Sequence, residues 1–74
     1  MAYHREEITK DISAVIKLAR SMGYHYSTIA AFYSINQGGI ADVMKGRIDP
    51  HIAPAASLPS GFPPLSAKER KKAA

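Results

Sequence analysis

The sequence predicts a small all-α domain with a helix-turn-helix, followed by a proline-rich extended C-terminal arm. Three observations predict it. First, Ile29 precedes Ala30, and Ile35, Ile40 and Val43 fall five, ten and thirteen positions after that alanine. Two short helices that cross at a fixed angle need a small residue where their backbones approach and an apolar set facing inward, and this spacing supplies both. Second, residues 5–22 repeat apolar side chains at three- and four-residue steps, the signature of one amphipathic helix. Third, Pro50, Pro54, Pro59, Pro63 and Pro64, with Gly61, forbid a long helix before Ser66. Residues 1–48 therefore form the helix-turn-helix domain, and residues 49–74 the arm and a basic tail.

In the helix over 5–22, Ile8, Ile12, Val15, Ile16, Ala19 and Met22 make the apolar face. Glu6 and Glu7 stand in its first turn and Arg20 in its last, as the helix dipole favours, and Gly23 is placed to end it. The crossed pair spans 24–46. Tyr26 or Ser27 opens its first helix, with the serine hydroxyl as N-cap. Ser34, Ile35 and Asn36 form the tight turn, and Asn36 caps the helix that follows. Ile35 before the cap and Ile40 four residues after it have the spacing of a hydrophobic staple. Lys45 lies in the last turn and Gly46 takes the left-handed stop. Beyond residue 47, Ile52, Leu58, Phe62 and Leu65 are interspersed among the prolines, so the arm packs on the helical body or on a partner subunit. The stretch 66–74 reads as a frayed helical turn or a disordered basic tail.

A chain of 74 residues has room for one domain whose core is marginal alone. It has no cysteine, so neither a disulfide nor a thiolate metal site supports it, and the three histidines His4, His25 and His51 lack ligand spacing. No cofactor or metal is expected, and a homodimer is the expected support. No apolar run reaches the roughly 18 residues of a membrane span. The N-terminal residues lack the basic-then-apolar order of a signal peptide, which points to the cytoplasm. The formal net charge of +4 permits a nucleic-acid partner without proving one.

The run from Tyr26 through Arg47, YSTIAAFYSINQGGIADVMKGR, resembles the small helix-turn-helix regulators of bacteria and their phages, in the broad repressor and Cro-like class. It is most similar to a small group whose second helix opens Asn-Gln-Gly-Arg-Ile and ends Lys-Gly-Arg. The resemblance covers about residues 24–48. It implies sequence-specific binding of double-stranded DNA, usually as a dimer, and a role in transcription control, here as a repressor or autorepressor. Two positions depart from it. Ser34 stands where the turn commonly has glycine, and Gly39 where the group has arginine. Arginine is the commonest reader of guanine edges, so Gly39→Arg is expected to raise affinity by on the order of 1–3 kcal/mol.

With the second helix in a major groove, the DNA-facing residues are Asn36, Gln37, Gly38, Gly39, Ala41, Asp42 and Lys45. Gln37 is the best base reader, since its amide pairs bidentately with adenine; its plainer role is a solvated first-turn residue. Capping alone explains Asn36. Gly38 and Gly39 either bring bare amides to a phosphate or merely loosen the turn. Asp42 either reads a cytosine amine, pairs with Lys45 or Lys17, or is simply solvated. Lys45 and Arg47 suit phosphate. Tyr26, Ser27 and Thr28, with Tyr24 and His25, cluster where a first helix abuts the DNA backbone, though the two tyrosines fit a core or dimer contact equally. Lys68, Arg70, Lys71 and Lys72 either add salt-sensitive affinity or solubilise the tail, the latter being the simpler account.

Residues 26–44 hold no lysine or arginine, which is low for a DNA reader. That favours a rival reading, a protein-interaction module of antitoxin-like or accessory type using the proline-rich arm as its contact strip. For an enzyme there is no nucleophile with a base and no carboxylate pair at useful spacing. Gly38-Gly39 has no following Lys-Ser/Thr, so it is no P-loop, and no small-molecule substrate is implied.

Overall fold

A computed structural model describes residues 8–73, with side chains through residue 70. Four helices follow one another: α1 (Lys10–Met22), α2 (Tyr26–Tyr33), α3 (Gln37–Met44) and α4 (Ala67–Ala73), with no strand among the described residues. The chain is all-α.

α1 begins later than its apolar period suggests. Thr9 is extended, and its hydroxyl accepts the Ile12 amide at 3.2 Å, which satisfies one of the amides a helix start leaves bare. Ile8 therefore precedes the helix and is buried in the core on its own account. Asp11 is the acidic residue of the first turn; Glu6 and Glu7 lie outside the described residues.

Three helix ends use one device. After α1, Gly23 is left-handed, its amide meets Arg20 O at 3.2 Å, and the Tyr24 amide meets Ala19 O at 3.0 Å. After α2, Ser34 takes the same role at φ 55, with Ile35 N on Ala30 O at 3.0 Å. The turn thus keeps the left-handed geometry that glycine usually supplies, at the steric expense of a Cβ. After α3, Gly46 is left-handed at φ 82, and the Arg47 amide reaches Asp42 O at 2.8 Å. Asn36 caps α3, its Oδ1 accepting the Gly38 amide at 2.7 Å.

α1, α2 and α3 pack on one another. Ile16, Ala19, Ile29 and Ile40 are wholly shielded, and Tyr24, Ala30 and Val43 join them in one core. Ala30 is buried, as a close helix crossing requires, and Ile35 packs against the core cluster that contains Ile40. Burial raises the pKa of the Tyr33 phenol, and the Asp11 carboxylate raises it further.

Residues 45–66 contain no helix, yet they are bound to the helices. Asp49 is left-handed at φ 47, a conformation aspartate tolerates better than most. Its carboxylate accepts the buried Ser13 hydroxyl at 2.7 Å. Lys17 donates to Asp49 O at 2.7 Å and Ile52 O at 2.6 Å, holding the turn closed by Ile52 N on Asp49 O. The Ala55 amide then bonds Ala14 O at 3.0 Å. Ile48, Leu58, Phe62 and Leu65 pack against the core. Phe62 sits between Tyr24 and Phe32, at centroid distances of 5.0 and 4.6 Å.

The end of the chain is not a frayed turn at the described positions. Ser66 and Glu69 make a reciprocal capping box: Ser66 N donates to Glu69 Oε1 at 2.9 Å and Glu69 N to Ser66 Oγ at 3.2 Å. The side chains of Lys71 and Lys72 lie outside the described residues.

Candidate nucleic-acid interface

α3 is packed on one side and bare on the other. Ile40 and Val43 are buried, whereas Gln37, Gly38, Met44 and Lys45 are exposed, with Ala41 and Asp42 half-buried between them. Gln37, Ala41 and Lys45 follow one another at four-residue steps, as do Gly38 and Asp42, so they form adjacent rows on one face. Arg47 extends that face beyond the helix end, 64 % exposed at its side chain.

Gly39 does not belong to this face. It is buried, and its amide bonds Asn36 O at 3.0 Å. The reason is its register: it lies four residues before Val43, and residues so spaced share a helix face, which here is the flank of the core. Gly39 thus stands apart from the exposed residues of α3 with which the sequence grouped it. Gly38 stays exposed, but its amide already serves the Asn36 cap. A bare amide for phosphate is therefore not free at that position.

Asp42 approaches Arg47, Oδ1 to Nη1 3.6 Å, and Lys17 is engaged with the turn at Asp49 and Ile52 instead. The Asp42–Arg47 pair is one turn-end apart and the arginine is mostly solvated, so the contact trims the net charge of the face more than it stabilises the fold.

The start of α2 is built differently from the sequence expectation. Its N-cap is His25, which makes no side-chain cap bond, and Ser27 stands exposed in the first turn. The cap comes from α4. Glu69, 1 % exposed, accepts the His25 amide at 2.7 Å. The Thr28 hydroxyl also donates to this carboxylate. Burial by itself raises a carboxyl's pKa and is the largest single influence here. The hydrogen bonds from the His25 and Ser66 amides and the Thr28 and Ser66 hydroxyls together outweigh it, and the group is held at about 2. Thr28 is thus turned inward, to Glu69. Tyr26 is half-buried with the Arg20 guanidinium 4.6 Å over its ring. Tyr24 belongs to the core, its hydroxyl donating to Pro63 O at 2.6 Å and its carbonyl accepting from Arg20.

Of the residues read from the sequence as DNA contacts, Asn36, Gln37, Gly38, Lys45 and Arg47 are exposed, as is Ser27 at the other helix. Tyr26, Thr28 and Asp42 are half-buried with partners inside the chain, and Gly39 is buried. Glu69 was missed, although Ser66-Ala67-Lys68-Glu69 carries the capping-box pattern that foretells a helix start.

No helix among the described residues is long and apolar enough to cross a membrane. The fold and surface define a small all-α chain that holds one helix in place by a single face and leaves its polar face open. No family model, curated protein or solved structure matches the chain.

Proposed function

We propose that this chain is a sequence-specific, double-stranded-DNA-binding transcriptional regulator of the helix-turn-helix type, acting as a homodimeric repressor or autorepressor in the cytoplasm. The observation that carries the reading is the two-sided character of α3: Ile40 and Val43 anchor it, while Gln37, Gly38, Lys45 and Arg47 stand in solvent. Such a helix fits a major groove, with its N-terminal side chains at the base edges and its C-terminal cations at phosphate. Gln37 is the base reader of choice, since adenine offers its amide a donor and an acceptor together. Each subunit of a dimer presents one α3, so the site is two-fold related, with half-sites about 34 Å or a multiple of it apart.

The test is selection from a pool of random duplexes at low salt. Enrichment of a two-fold symmetric motif, lost in Gln37→Ala, supports the reading. Absence of any enriched motif overturns it. The absence of lysine and arginine from residues 26–44 favours a second reading, a protein-docking module. It would show as no enrichment together with a flat salt dependence.

A further inference from the structure

α4 is a fixed part of the molecule, and its charge is placed. Glu69 is buried with one oxygen on the His25 amide and the other on the Ser66 amide, so α4 is pinned to the start of α2. Lys68 and Arg70 flank that carboxylate in sequence and are both exposed. On a helix, neighbours leave the axis about 100° apart, so pinning Glu69 inward leaves its two neighbours on opposite flanks of α4, both reaching solvent. No hydrogen bond or ion pair engages either side chain among the described residues. The start of α2 is where a helix-turn-helix meets the sugar-phosphate backbone, and in this chain its own donors, the His25 amide and the Thr28 hydroxyl, are spent on Glu69. The cations that α2 and α3 lack in sequence are thereby delivered by α4.

We infer that Lys68 and Arg70, held beside the start of α2 by the buried Glu69, form a clamp on the phosphate backbone of a DNA duplex. The inference rests on the DNA-binding reading above. It carries a consequence that simple charge counting reverses. Removing the negative charge of Glu69 frees α4, disperses the clamp and weakens binding.

The experiment measures binding of the full chain to a short mixed-sequence DNA duplex over a range of salt. Two released counterions correspond to a change of about 1.8 in the slope of log K against log salt. Lys68→Ser/Arg70→Ser, both at exposed positions, is expected to shallow the slope by that amount with unchanged thermal stability. Glu69→Ala is expected to shallow it as well, and Glu69→Gln, which keeps the shape of the side chain, to fall between. An unchanged slope in the double variant overturns the clamp while leaving the DNA-binding reading intact. Tighter binding by Glu69→Ala also overturns it, since that is the result if the carboxylate merely blocks a phosphate site. No duplex binding by the unaltered chain overturns the DNA-binding reading and the clamp together. The double variant retains Glu69, so it decides the matter even if Glu69→Ala does not fold.

Discussion

The Glu69 carboxylate closes the start of α2 by accepting the His25 amide at 2.7 Å across a separation of 44 residues. A helix whose own N-cap side chain makes no bond is thus capped from the far end of the chain. The bond links stability to acid. The carboxyl has an ordinary value of 4.5 and a folded value of about 2. A lowered folded value means that the stabilisation is fully present above the unfolded value and is lost as pH falls through the folded one. Urea unfolding at a series of pH values is expected to show a loss of stability between about pH 4.5 and 2 that Glu69→Gln lacks. Glu69→Gln itself is expected to lower stability at neutral pH by about 1–3 kcal/mol, as removal of a buried charged acceptor does. Parallel acid limbs in the two proteins would rule out the linkage.

Ser34 holds a left-handed conformation at φ 55 in the turn between α2 and α3. A Cβ there costs about 1 kcal/mol or more, which glycine avoids. Part of the gain is offset by the greater freedom of glycine in the unfolded chain. Ser34→Gly is expected to raise the urea midpoint by a net stabilisation of a few tenths to about 1 kcal/mol. A lowered midpoint would show that the hydroxyl, and not the backbone conformation, decides the site.

Asn36 and Gly38 are coupled through one atom. Asn36 Oδ1 caps the Gly38 amide at 2.7 Å, and a Cβ added at Gly38 would stand 3.1 Å from the same oxygen. Asn36→Ala is expected to cost about 1 kcal/mol, the usual worth of an N-cap. Gly38→Ala gains up to about 1 kcal/mol of helix propensity but crowds the cap. It is therefore expected to stabilise the Asn36→Ala protein more than the unaltered one. Strict additivity in the double-mutant cycle would mean the cap and the added methyl do not meet.

Lys17 donates to two backbone carbonyls, Asp49 O and Ile52 O, from a half-buried position on α1. Lys17→Met keeps most of the stem, leaves the Ile52 carbonyl without its donor and takes one of two donors from the Asp49 carbonyl. The loss is expected to be on the order of 1–3 kcal/mol. Amide exchange locates it: the Ala55 amide, bonded to Ala14 O at 3.0 Å, is expected to exchange faster relative to the α1 amides. Unchanged protection at Ala55 would show that the segment is held by its apolar contacts alone.

Much of the helical body was legible because its determinants are local. The periods of Ile12, Ile16 and Ala19, the left-handed stops at Gly23 and Gly46 and the Asn36 cap act over at most five residues. α1 starts later than its apolar period, which runs on through Ile8, because the Thr9 hydroxyl caps the helix at its N-terminus. The open face of α3 follows from the same local period, and Gln37, Gly38 and Lys45 lie on it.

Caps and apolar periods are interactions between near neighbours, and they are enough to dictate short capped helices with one tight turn between two of them. Long-range packing sets which polar groups remain open to a partner. It buried Gly39 against the flank of the core, gave Lys17 to the turn at Asp49 and Ile52, and turned Thr28 toward Glu69. It also tied the short helix α4 to the start of α2 through Glu69. The capping box between Ser66 and Glu69 is written in the sequence. What the other carboxylate oxygen binds is not, since a buried charge takes whichever donors the folded chain brings within reach, and here they come from the start of α2.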